Sequence, residues 1–265
     1  MTRIVRFSLD RSLPPTAPDT PQVRYGRLED GRIHEGTPGG AVHNLADVRL
    51  LPPCAPTKIV CVGRNYEEHA RELGNEVPTE PLIFLKPPSS LLASGDAILY
   101  PRLSRRVDFE GELGVVIGSR ARRASRADAP THVLGYTVVN DVTARDLQKK
   151  DGQWTRGKGF DTFCPVGPWM VPAAEVDLRS LRVRTRLDGV VKQDAPVTDM
   201  IFPVADIIAY VTQFLTLEPG DLIATGTPPG VGPMQPGSIV EVEIEGVGLL
   251  RNSVASEPER NCAER

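Results

Sequence analysis

The sequence predicts a mainly β protein with a few helices, an α+β chain built on mixed sheets and not on a doubly wound core. Three observations carry this expectation. Apolar residues recur in short alternating or β-branched runs bounded by glycine and proline. Only PVADIIAYVTQFLTL shows a clear helical stripe, through Ile207, Ile208, Val211, Phe214 and Leu215. Asp188-Gly189 stands between two alternating runs, RVRTRL and VVKQD, where a type I′ hairpin turn fits.

The elements follow in order. RIVRFSL alternates as a strand, SLPPTAPDTPQ is a proline-rich loop, and VRYGRLEDGRIHEG is a hairpin around Glu29-Asp30-Gly31. LPPCAPTK then separates a small strand-rich N-terminal domain, residues 1–55, from a larger catalytic domain, residues 56–265. TKIVCVG is a buried strand. Asn65 and Glu68 have the spacing of a capping box, so a helix is expected to run to about Leu73 and stop at Gly74-Asn75. PLIFLKP, LGVVIG, VLGYTVVNDVT, LIAT and the final pair SIVEVEIEG and VGLLRNSV read as strands. The polar tail from Ser256 onward is expected to fray.

Bulk properties exclude several classes. A net charge of −3 asks for no polyanionic partner, and the basic cluster SRARRASR lacks interleaved aromatics, so nucleic acid is not expected. No run of eighteen apolar residues offers a membrane span, and the N-terminus resembles no secretory signal, which makes a cytoplasmic protein the expectation. Cys54, Cys61, Cys164 and Cys262 form no close pair and the histidines are scattered. A structural zinc site is therefore not expected, and free, mostly buried thiols are preferred to a Cys54–Cys61 bridge. TGTPPGVG lacks the lysine and following helix of a phosphate loop.

The chemistry concentrates in acidic residues. Glu110 and Glu112 lie two apart at the start of a strand, so their carboxylates share a face. They are either a solvated strand face or a pair that needs a cation between them. Asp141, at the mouth of another strand, would complete an oxygen-only site, which suits Mg²⁺, Mn²⁺ or Ca²⁺ and disfavours zinc. Lys158, between two glycines, is either an ordinary turn lysine or an ammonium placed to stabilise an enolate oxygen. His69 and Glu72, three apart, share one helix face.

Six strings in order, VGRNYEEHARE, PLIFLKPPSSL, DFEGELGVVIG, GYTVVNDVTARDLQ, TRGKGFDTFCPVGP and LEPGDLIATGTPPGVG, resemble the fumarylacetoacetate hydrolase superfamily in its shorter bacterial and mitochondrial form. The resemblance runs from about Lys58 to Val254 and implies the mixed β-sandwich roll of that family's C-terminal domain. It implies that Glu110, Glu112 and Asp141 bind Mg²⁺ or Mn²⁺, with Lys158 beside the metal and substrate. Arg145, Gln148 and Thr227 resemble substrate-facing residues, and His69 and Glu72 the catalytic pair of a lid helix. Arg64 and Lys86 rank below these as carboxylate-binding or supporting groups. The N-terminal stretch resembles that of the isomerase and decarboxylase group. A homodimer is implied as well.

The implied function is a divalent-metal enzyme acting through the enolate of a small 2-oxo or 2-hydroxy-dienoic acid, first of the 2-hydroxyhepta-2,4-diene-1,7-dioate isomerase type of aromatic degradation. Acylpyruvate C–C hydrolysis and oxaloacetate decarboxylation use the same enolate and remain alternatives. A non-catalytic oxo-acid binder would be expected to lack one of the three carboxylates. A calcium-stabilised structural protein would not need Lys158, Thr227 or the His69–Glu72 pair.

Overall fold

A computed structural model of the chain describes residues 1–36, 39–72 and 74–258. Among these, strands dominate. They form a twelve-stranded, a five-stranded and a three-stranded sheet, with parallel and antiparallel pairs mixed.

The large sheet is held at its centre by three antiparallel neighbours, Gly111–Ile117, Val133–Asn140 and Cys164–Pro172. Gly111–Ile117 also pairs with Leu222–Ala224, which runs parallel to the buried strand Ile59–Gly63; Leu82–Lys86 lies at the edge. Period-two alternation divides the apolar residues between two cores. Val60, Val62, Leu113, Val115 and Val138 face the five-stranded sheet and the helix Val204–Val211. Ile59, Cys61, Val116, Val139 and Val166 face the other way. These strands are apolar on both faces because both faces are covered.

The N-terminal strands Arg3–Ser8, Val23–Glu29, Arg32–Glu35 and Val42–Asn44 extend the same sheet, joined to it where Ile4 pairs with Met170. They also gather a small core of their own from Val5, Phe7, Leu28, Ile33 and Val48. Both expected hairpin turns form, with positive φ at Asp30-Gly31 and at Asp188-Gly189. Cys54, Cys61 and Cys164 are free buried thiols, and Cys262 lies outside the described residues. Among the described residues no helix is long and apolar enough to cross a membrane.

Three local expectations need correction. Asn65 does not cap the helix Glu67–Glu72; its buried amide donates to Phe202 O and Thr225 O and accepts from Phe202 N. Those long-range partners outcompete a cap because a buried amide left unpaired is costly. The helical stripe ends at Val211, leaving Phe214 51 % exposed. DFEGELGVVIG forms two strands in different sheets, Val107–Phe109 and Gly111–Ile117, with Glu110 at the break. The expected end of the first helix at Leu73 and the tail beyond Pro258 lie outside the described residues, although Gly74 adopts the left-handed φ of a helix terminator.

Asp221 fixes the start of the two parallel strands. Fully buried, it accepts from the Thr57 amide and hydroxyl at 3.0 and 2.7 Å, from the Lys58 amide at 3.1 Å and from the Glu218 amide at 2.8 Å, and it pairs with the Lys58 ammonium. Replacing it with alanine strands these donors. D221A is expected to lower unfolding free energy by about 3 kcal/mol in a chemical denaturation series.

Candidate metal and enolate site

The antiparallel ladder builds the acidic cluster. Gly111 pairs with Asn140, which sets Glu110 opposite Asp141, and the Asp141 amide donates to Glu110 O at 2.8 Å. The Asn140 side chain accepts from the Glu110 amide at 2.9 Å and holds the break in the strand. One carboxylate oxygen from each of Glu110, Glu112 and Asp141 lies within 4.8 Å of the others, and all three residues are buried. The solvated-face alternative for the Glu110–Glu112 pair is thereby excluded.

Cations converge on this cluster from separate elements. Lys158, at the end of the short helix Thr155–Lys158 and 2 % exposed, donates to Glu110 Oε2 at 2.7 Å and Asp141 Oδ2 at 2.5 Å. It is therefore not a surface-turn lysine. Lys86, at the end of its edge strand, donates to Asp141 Oδ1 at 2.6 Å and Val142 O at 3.1 Å. Arg145 opens the helix Arg145–Asp151 and donates to Glu110 Oε1 at 2.5 Å and Gln148 Oε1 at 2.9 Å. Burial alone would push the Glu110 carboxyl up, but Lys158, Arg145 and His69 outweigh it and hold it well below its ordinary value. Among the described residues, the partner of the Glu112 carboxylate is the Gly226 amide at 2.8 Å. Burial, then the charges of Asp141 and Glu110, push its carboxyl well above the ordinary value.

The donor set suits a hard divalent cation: three carboxylates, all oxygen, one of them with no salt bridge among the described residues. Glu110, Glu112 and Asp141 would hold it, and Mg²⁺, Mn²⁺ and Ca²⁺ share this preference.

The cluster opens into a cavity of about 390 Å³, ample for a small organic acid. Arg64, His69, Arg145, Gln148, Lys158 and Thr227 line it together with the three carboxylates. Lys86 and Glu72 stand behind the lining, Lys86 against Asp141 and Glu72 against His69 Nδ1 at 3.3 Å. Among the described residues, none before Val62 contributes to the wall. His69 is 4 % exposed, and burial outweighs the pull of Glu110 and Glu72, so its imidazole pKa is lowered. Glu72 also accepts from the Gly230 amide at 3.1 Å, which ties the helix to the glycine-rich loop.

Sequence reasoning overlooked several contributors. Asp108, fully buried, accepts from Arg145 Nε at 3.0 Å and from Arg106, and so aims the Arg145 guanidinium. Its only signal was a carboxylate next to an apolar strand. Phe84 and Trp154 meet edge-on at 5.1 Å and form an apolar wall, with the Lys158 ammonium 5.0 Å from the Phe84 ring. Trp154 packs so closely on Gly63 that a Cβ there would fall 2.8 Å from its ring.

A raised carboxyl pKa means that folding favours the protonated form. Glu112 therefore costs stability as pH rises above the unfolded value toward its raised folded value. In metal-stripped protein, E112Q should gain stability relative to wild type as pH rises above the ordinary carboxylate range, a difference readable from thermal unfolding. Mn²⁺ binding to wild type should release a proton and tighten with pH, measured by calorimetry in two buffers of different ionisation enthalpy.

The fumarylacetoacetate (FAA) hydrolase C-terminal family matches residues 58–255. An oxaloacetate tautomerase of Bacillus subtilis, YisK, is 40 % identical over 229 residues, 82 % of this chain and 76 % of that protein. The structure of 2-hydroxyhepta-2,4-diene-1,7-dioate isomerase from Mycobacterium marinum superposes with a TM-score of 0.85 at 42 % identity, over 98 % of this chain and all of the other. Fumarylpyruvate hydrolase from Pseudomonas aeruginosa, in complex with Mn²⁺ and pyruvate, superposes with a TM-score of 0.73 at 34 % identity, over 79 % of this chain and 92 % of that one. The chain belongs to the fumarylacetoacetate hydrolase family.

Proposed function

We propose that this protein is a Mg²⁺- or Mn²⁺-dependent isomerase that moves a proton through the enolate of a small 2-oxo dicarboxylic acid. Keto–enol interconversion of oxaloacetate and isomerisation of 2-hydroxyhepta-2,4-diene-1,7-dioate are the reactions of this type carried by its relatives' names. One observation carries the reading: a compensated carboxylate cluster and a buried imidazole with lowered pKa face the same small cavity.

The bound ion would supply Lewis-acid polarisation of a 2-oxo group. The chain's own residues do the rest. Lys158, held by two carboxylates, offers a fixed positive charge where negative charge develops on oxygen. Arg145, aimed by Asp108, and Arg64 at the cavity wall supply guanidinium groups for carboxylates. His69 accepts or returns the carbon-bound proton, its ring oriented by Glu72. Phe84 and Trp154 limit water on the apolar side.

C–C hydrolysis of an acylpyruvate is the second reading. The His69–Glu72 pair favours it, since the same imidazole can activate water, and fumarylpyruvate hydrolase is among the similar structures.

Chelator-stripped protein should be assayed with and without Mg²⁺ or Mn²⁺ on oxaloacetate, 2-hydroxyhepta-2,4-diene-1,7-dioate and acetylpyruvate. Metal-dependent tautomerisation or isomerisation is expected. Preferential acetylpyruvate cleavage would replace it with the hydrolase reading, and no turnover beside tight metal binding would leave a binding protein. K158M should lose about 10²-fold or more in kcat. Because the His69 pKa lies below the ordinary 6.5, wild-type kcat/KM should stay level through neutral pH and fall only below that value. H69N should lose most activity together with that acid limb; full activity in H69N would remove His69 from the mechanism.

A further inference from the structure

The hairpin Arg182–Pro196 lays one polar side chain against the back of the acidic cluster. Gln193, on its second strand, is 1 % exposed and lies outside the cavity lining. Its Oε1 accepts from the Gly111 amide at 3.0 Å. Its Nε2 donates to Thr227 Oγ1 at 2.8 Å and Pro228 O at 2.7 Å. A reversed amide would set NH₂ against N–H and oxygen against oxygen, so the orientation is determined by its partners. The Thr227 hydroxyl in turn donates to Gly111 O at 2.9 Å.

Both polar atoms of Gly111 are thus held, the amide by Gln193 and the carbonyl by a threonine that Gln193 also holds. Gly111 is the residue between Glu110 and Glu112. The packing here tolerates no side chain: a Cβ on Gly111 would stand 2.2 Å from Thr185 Oγ1 and 3.2 Å from Gln193 Oε1. A buried amide with every group satisfied constrains its neighbours in one arrangement. The loop is held on the same side, since a Cβ on Gly230 would meet the Lys192 carbonyl at 2.0 Å.

We infer that Gln193 is a positioning residue that couples the Glu110–Glu112 pair to the Thr227 loop, so that ion affinity and substrate binding are set together by a side chain touching neither. The inference rests on the proposed reading of those carboxylates as ion ligands. Gln193 differs from a merely structural hairpin residue in where its bonds end: on the link between two carboxylates and on the hydroxyl of a cavity-lining threonine.

The test uses Q193M, which keeps length and loses every hydrogen bond, with T227V and the double variant. Mn²⁺ affinity is read by electron paramagnetic resonance of free Mn²⁺, kcat and KM by steady-state assay, and folding by thermal unfolding. Q193M is expected to weaken Mn²⁺ binding and to lower kcat/KM, each about tenfold or more, the scale seen when partners of metal ligands are removed. The effects of Q193M and T227V should be strongly non-additive. V191A, on the exposed face of the same strand, should leave all three readouts unchanged. A folded Q193M with wild-type Mn²⁺ affinity and turnover, or simple additivity with T227V, overturns the inference. Should Q193M not fold, T227V reads the link from the other side. Its Gly111 amide should exchange hydrogen faster, and unchanged protection overturns the inference. Wild type that binds no Mn²⁺ at all would instead overturn the metal reading itself.

Discussion

Three carboxylates cannot share the dry end of a β-sheet unless positive charge shares it with them. At the separations seen here, buried carboxylates without compensation repel, and one of them takes up a proton unless cations offset the charge. The fold meets this constraint by bringing Lys86 from an edge strand, Lys158 from a short helix and Arg145 from the start of another. Each has its own anchor: Val142 O for Lys86, the Phe84 ring beside Lys158 and Asp108 for Arg145. The elements around the cavity are arranged by where these charges must end.

The compensation is uneven, and the unevenness has chemical content. Lys158 and Arg145 stand on the Glu110 side, while among the described residues Glu112 is hydrogen-bonded to a backbone amide and to no cation. Two carboxyls only one residue apart are therefore shifted in opposite directions. A site of this kind is strongly ionised on one side and short of positive charge on the other, which favours a divalent ion over an additional lysine.

Much of this was legible in the sequence because it depends on local pattern. Alternation marked the strands, Asp188-Gly189 marked a turn, residue type with spacing raised Glu110 and Glu112 as one of two readings, and the family resemblance pointed to the His69–Glu72 pair. What failed to show depends on distant partners. The helices Arg145–Asp151 and Thr155–Lys158 are too short and too charged to form by propensity, and exist because their lysine and arginine are held by buried carboxylates. Asn65 looked like a cap because its real partners, Phe202 and Thr225, lie more than a hundred residues away. Asp108 stands at the head of the DFEGELGVVIG string without spacing that marks a role, and Gln193 carries no motif; their roles follow from strand register and hairpin packing.

Glu72 makes two contacts that are usually separate. One oxygen meets the His69 ring and both accept from the Gly230 amide of the glycine-rich loop. Because His69 and Glu72 share one short helix, a shift of that helix away from Gly230 would carry the imidazole and its guide off the carboxylate cluster as a unit. On the proposed mechanism, one backbone contact outside the catalytic groups would then decide whether the base stands in register with the ion.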